Sequence, residues 1–235
     1  MAGGGRMTGT VVAIDGPSGS GKSTISRRVA TQLGMAYLDT GAMYRAAAWW
    51  CVRDGIDLTD AAAVAQAVRE LPLEMVTDPR EPGIAVGGED VSVVIRSTEI
   101  STVVSAVATN LEVRAEMRRR QWEIIDAARR EGGIVAEGRD ITTVVAPDAD
   151  VRILLVASEE ARLARRAREI HGADDDGALE ATRDQVLRRD ADDSTVSSFH
   201  VAADGVVTVD SSELTLDETV AAVRGLISSA RESDR

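Results

Sequence analysis

Residues 16–23 read Gly-Pro-Ser-Gly-Ser-Gly-Lys-Ser, and Lys22 is the only lysine in the chain. Every other fixed positive side-chain charge is an arginine. The octapeptide follows G-x-x-x-x-G-K-[ST], a loop whose backbone N–H groups and single ammonium cradle phosphate. A guanidinium is broad, planar and suited to paired contacts from one side, so it does not replace a compact ammonium there. The flanks agree. Residues 10–14 (Thr-Val-Val-Ala-Ile) are a short β-branched run that predicts a buried strand. Ile25, Val29 and Leu33 recur at helical spacing, and Gly34 stops that helix. Strand, glycine loop and helix together aim unpaired N–H groups and the positive helix end at a phosphate. A glycine turn with an ordinary surface lysine explains neither the flanks nor the lysine's uniqueness.

The 235 residues suffice for one large or two modest domains with a substantial core. Hydrophobic residues make up 44% and aromatics only 3%, so that core must be aliphatic. A net charge of −12 argues against nucleic acid as a general partner. Cys51 is alone, which excludes an intramolecular disulfide and a thiolate metal cluster, and its neighbours Trp50 and Val52 make it a core or helix residue. His171 and His200 are isolated and read as surface or packing residues. No segment has the length of a membrane span, and residues 1–6 lack the apolar core of a leader peptide. They read as a disordered tail, with Met7 an alternative start. The expected location is the cytoplasm.

Residues 36–38 form a strand candidate leading into Asp39-Thr40-Gly41, followed by a helix over 42–53. Thr59 or Asp60 caps another over 61–70. Two short strands, 73–76 and 84–86, flank the Pro/Gly turn at 78–83, and residues 87–95 predict a third. Residues 98–130 are helical with a break near Asn110. Strands follow at 134–136, with Glu137-Gly138-Arg139-Asp140 at its carboxyl end, and at 151–156. An arginine-loaded helix runs from Ser158 to Ile170, another ends near Arg189, and strand 206–209 and helix 215–231 close the chain. The pattern is α/β: a five-stranded parallel sheet covered by helices on both faces, with ligands at the carboxyl ends of its strands. The core takes residues 7–62, 98–157 and 201–235, a small antiparallel insertion takes 63–97, and 158–200 form a helical lid.

Phosphoryl-transfer sites hold two polyanions together, and arginine is the tool for that. Arg45 and Arg139 lie at strand ends, a position that favours function. Arg118, Arg119, Arg120, Arg129 and Arg130 read as a solvated, salt-bridged helix face. For Arg162, Arg165, Arg166, Arg188 and Arg189 both readings stand.

Four blocks carry a closer likeness. They are residues 39–45 (Asp-Thr-Gly-Ala-Met-Tyr-Arg), residues 88–96 from Gly88-Glu89-Asp90-Val91-Ser92 to Ile95-Arg96, residues 137–145 from Glu137-Gly138-Arg139-Asp140-Ile141 to Thr143-Val144-Val145, and residues 189–194 (Arg-Asp-Ala-Asp-Asp-Ser). In this order, and spanning nearly the whole chain, they resemble the bacterial cytidylate kinases, P-loop nucleoside monophosphate kinases with a three-stranded insertion.

The resemblance implies transfer of the γ-phosphate of ATP to CMP or dCMP with Mg²⁺; nothing in the sequence demands a partner chain, so a monomer without nucleic-acid or membrane partners is expected. Gly16, Pro17, Ser18, Gly19, Ser20, Gly21, Lys22, Ser23 and Thr24 would cradle the ATP phosphates, with Lys22 on the transferred group and Ser23 on the metal. Thr40, Arg45 and Arg139 would hold the CMP phosphate. Ser105, Arg114 and Asp140 would surround cytosine and sugar, and Arg189 and Asp193 would reach the nucleotide from the lid. Lys22, Arg139 and Arg189 would be the catalytic cations. The sequence departs from the family pattern at Val196, where an arginine is usual, and at the following Ser197-Ser198-Phe199-His200 in place of a proline-containing run. A kinase for UMP or another small metabolite is the alternative. A regulatory GTPase is excluded, because its N-K-x-D motif needs a second lysine.

Overall fold

The computed structural model describes residues 9–172, 175, 177, 179, 182–183, 190–192, 194–197 and 199–233. The disordered tail expected at residues 1–6, Arg188, Arg189 and Asp193 lie outside the described residues.

β1 (Thr10–Asp15) is buried over five of its six residues, as an apolar run between two layers of helices must be. The phosphate loop leads into α1 (Lys22–Leu33), which ends on Gly34 in the left-handed conformation at φ 64°. β2 (Ala36–Asp39) passes directly into α2 (Thr40–Arg53), capped by the Asp39 side chain on Ala42 N. α3 (Ala61–Glu70) is capped by Asp60. β3 (Leu73–Val76), β4 (Gly83–Val86) and β5 (Glu89–Asp90) form a three-stranded antiparallel sheet. α4 (Thr98–Ala108) and α5 (Leu111–Glu131) are separated at Asn110, whose side chain caps α5. β6 (Gly133–Gly138), a single π turn over Ile141–Val145, β7 (Val151–Val156) and α6 (Glu159–His171) follow. β8 (Val207–Asp210) and α7 (Leu216–Ser233) complete the chain.

The main sheet has the order β2-β6-β1-β7-β8, with every pair parallel. Alternation along β1 divides the core. Val11 and Ala13 join the cluster containing α2, α4 and α5, whereas Val12 and Ile14 join the one containing α1 and α7. The chain leaves β1 toward one side of the sheet to make β2 and later builds β7 and β8 on the other. The carboxyl end of β1 is therefore the switch point at which a ligand crevice opens.

The fold is the α/β architecture expected, including the small antiparallel sheet. One element differs. The third strand of that sheet stops at Asp90, because the Asp90 carboxylate accepts the Ser92 N–H at 2.9 Å and turns the chain. Val91 and Ile95 are then both buried, and Val94–Arg96 is a 3₁₀ turn.

Candidate active site

The loop between β1 and α1 exists because glycines let the backbone approach its surroundings. A Cβ at Gly16, φ 155°, would lie 2.1 Å from the Leu155 carbonyl oxygen, and one at Gly19, φ 75°, 2.6 Å from that of Arg162. No side chain caps α1 at Gly21, so its first-turn N–H groups point into the loop as an anion site. The Lys22 ammonium folds across the loop and donates to the Pro17 carbonyl at 2.8 Å.

Behind the loop, buried Asp15 accepts from Ile141 N (3.0 Å), Thr142 N (2.8 Å) and the Thr142 hydroxyl (2.6 Å). Burial pushes its carboxyl above the usual range against those three bonds. Asp15 thereby fixes the π turn that follows Arg139 and Asp140.

Glu137, near the end of β6, is buried beside Asp39 at the end of β2. Burial first, then the Asp39 charge, raises its carboxyl to about 7, while Lys22, Ser23 and Tyr37 draw it down. The Tyr37 hydroxyl donates to Glu137 Oε1 at 3.1 Å, and the Thr40 hydroxyl donates to the Glu137 carbonyl at 2.8 Å.

Arg45, on α2, is buried and donates to Ser101 Oγ at 2.8 Å. Arg96 reaches Asp39 at 3.1 Å. Arg139 donates to the Gly16 carbonyl at 3.4 Å and pairs with Asp190 at 3.0 Å. Arg114 pairs with Asp140 and donates to the Ala108 carbonyl at 3.1 Å.

Two recesses meet here. A cavity of about 610 Å³ is lined by Gly19, Gly21 to Thr24, Arg45, Glu137, Arg139, Arg165, Ser211 and Thr215. Beside it a narrower recess is lined by Thr40, Tyr44, Val104, Ala108, Arg114, Arg139 and Asp140. Arg139 borders both. Ser105 is half-buried on α4 between the lining residues Val104 and Ala108, and its carbonyl accepts from the Thr109 hydroxyl. Its side chain is not part of that lining.

Several contributors were left undecided or given no role from sequence. Arg165 donates to Ser20 O (3.3 Å), Ser211 Oγ (3.0 Å) and Ser211 O (2.6 Å), which ties α6 to the loop after β8. Arg162 donates to Ser18 O at 2.9 Å and pairs with Asp190, and Asp190 also accepts Ser18 N–H at 3.0 Å. Of the arginines for which both readings stood, Arg165 and Arg166 line the cleft, and Arg162 is buried behind the phosphate loop. Conversely, Cys51 is fully buried with its thiol pushed up to about 11, as a packing residue should be. Arg120 departs from the solvated-face expectation. It is half-buried and donates to the carbonyls of Leu71, Val68 and Arg69 at the end of α3.

Residues 12–229 match the cytidylate kinase family. A cytidylate kinase of Streptomyces avermitilis is 48% identical over 222 residues, 94% of each chain. One of Nocardia farcinica is 52% identical over 217 residues, 91% of each chain. A phosphate loop, a neighbouring recess with an arginine common to both, and a likeness extending over nearly the whole length converge: the chain belongs to the cytidylate kinase family.

Proposed function

We propose that the enzyme transfers the γ-phosphoryl group of ATP to CMP and dCMP by direct in-line displacement, as a cytoplasmic monomer. The reading is carried by Arg139, which borders the cavity at the phosphate loop and the recess of Thr40, Arg114 and Asp140 alike. A cation at that junction faces both the donor and the acceptor phosphate, where charge accumulates during transfer.

Lys22 and the first-turn N–H groups of α1 hold the donor phosphates. Thr40, Arg45 and Arg139 hold the acceptor phosphate, and Arg189 adds a cation from the lid. Ser105, Arg114 and Asp140, with Asp193, read the nucleoside. Cytosine presents a donor amine beside acceptors, a pattern complementary to a carboxylate with guanidinium and hydroxyl partners. An analogue lacking that pattern leaves buried polar groups unpaired and is rejected. Closure of the lid excludes water, which would otherwise hydrolyse ATP.

The Ser23 hydroxyl and the Glu137 carboxylate, with Asp39 beside it, are hard oxygen donors of the kind Mg²⁺ takes. A buried carboxylate raised to about 7 gains from a cation nearby, so these residues fit the ion and would hold it. An ion held by these residues would supply positive charge to offset that of the donor phosphates.

Initial rates with ATP and CMP, dCMP, UMP or AMP test the proposal. CMP and dCMP should be the best acceptors. CMP no better than AMP would overturn the assignment of Ser105, Arg114 and Asp140, and UMP preferred over CMP would establish a uridylate kinase.

A further inference from the structure

The segment that departs from the family pattern also touches the arginines of the acceptor recess. Ser197 Oγ accepts from Arg114 Nη2 at 2.8 Å, the same nitrogen that holds Asp140. Phe199, the chain's one phenylalanine, is fully buried, and the Arg139 guanidinium carbon stands 4.5 Å from its ring centroid. Asp190 takes the edge of the same guanidinium at 3.0 Å and is itself anchored on Ser18 N and Arg162.

We propose that Phe199 and Asp190 are positioning residues for Arg139, and that Phe199, which lies in the departing segment, offsets the absence of an arginine at position 196. The inference rests on the role given to Arg139 under Proposed function. A guanidinium is flat, with all of its N–H donors in the plane. A ring against one face fixes that plane without consuming a donor. A carboxylate on one edge then fixes rotation within the plane. A cation borne on the lid must be ordered each time the lid closes. Arg139, borne on the core and held on face and edge, is oriented before substrate arrives. The departure at Val196 to His200 thus exchanges a lid cation for a lid ring that holds a core cation.

Phe199→Leu keeps apolar volume and removes the aromatic face. Its kcat/KM for CMP should fall about tenfold in the native background and stay essentially unchanged in an Arg139→Ala background. Asp190→Asn should likewise lose more in the native than in the Arg139→Ala background, with a loss common to both from its contacts with Ser18 and Arg162, and it serves if thermal unfolding shows that Phe199→Leu is poorly folded. Equal losses in both backgrounds would make these residues packing groups only and overturn the proposal, as would no loss in the native background. If Arg139→Ala alone keeps native kcat/KM, the role given to Arg139 under Proposed function falls, and the positioning role falls with it.

Discussion

Asp39 and Glu137 are register partners on the parallel strands β2 and β6, two carboxylates at one level of the sheet. Buried like charges resolve by taking up a proton or by drawing in a cation. Here Lys22, Ser23 and Tyr37 already lean on Glu137, and the site opens to the phosphate loop. Glu137→Gln keeps the shape and an acceptor for the Tyr37 hydroxyl but discards the charge. The half-saturating Mg²⁺ concentration in a rate titration should rise by about tenfold, with thermal stability retained. An unaltered Mg²⁺ dependence would remove Glu137 from the metal site.

Because Lys22 is the sole lysine, an amine-reactive reagent has only Lys22 and the N-terminus to modify. Labelling of Lys22, followed by peptide mapping, should abolish activity, and saturating ATP should slow it. Lys22→Arg should lower kcat by about 100-fold, since the loop has no room for a planar fork. Full turnover after stoichiometric modification at Lys22 would exclude it from the reaction.

Arg114 and Asp140 are largely buried and paired. Asp140→Asn removes the anion while leaving the guanidinium in place. The kcat/KM for CMP should fall by about 100-fold, and for UMP by much less, so that discrimination collapses. A parallel loss for both nucleotides would indicate a role in holding Arg114 rather than in reading the base.

Glu116 sits on α5 between Arg119 and Arg120, and their guanidinium hydrogen bonds, that of Arg119 foremost, hold its carboxyl down to about 2. The folded value lies below the unfolded one. The stabilisation is therefore complete above the unfolded value and is lost as pH falls through the folded one. With Arg119 half in solvent, Glu116→Gln should cost about 2 kcal/mol in urea unfolding at neutral pH and almost nothing near pH 2. An equal cost at both pH values would point to lost packing instead.

What sequence made legible was local. Loop, strand and helix around Lys22 are contiguous, so their chemistry and geometry could be read together, and β-branched runs marked the core strands. The third strand of the small sheet failed because an Asp90-to-Ser92 turn outweighs the β propensity of Val91, Val93 and Val94. Asp15 escaped notice because its partners, Ile141 and Thr142, lie 126 and 127 residues away. Ser211 meets the Ser20 carbonyl across 191 residues, and Asp190 meets Ser18 across 172. No periodicity or spacing encodes such encounters. Arg120 looked like its neighbours on paper, and only the docking of α3 onto α5 distinguishes it.

The order of strands in the sheet also sets an order in time. β1 is synthesised first, yet both of its partners, β6 and β7, begin only at Gly133 and Val151, and β2 pairs with β6 alone. Until more than half of the 235 residues have left the ribosome, the strand that presents the phosphate loop has no sheet to join. Arrival of β6 closes two of the four main-sheet pairings at once. A nascent chain cut short before Gly133 carries the complete nucleotide motif and neither of the strands that pair with β1 to give it shape.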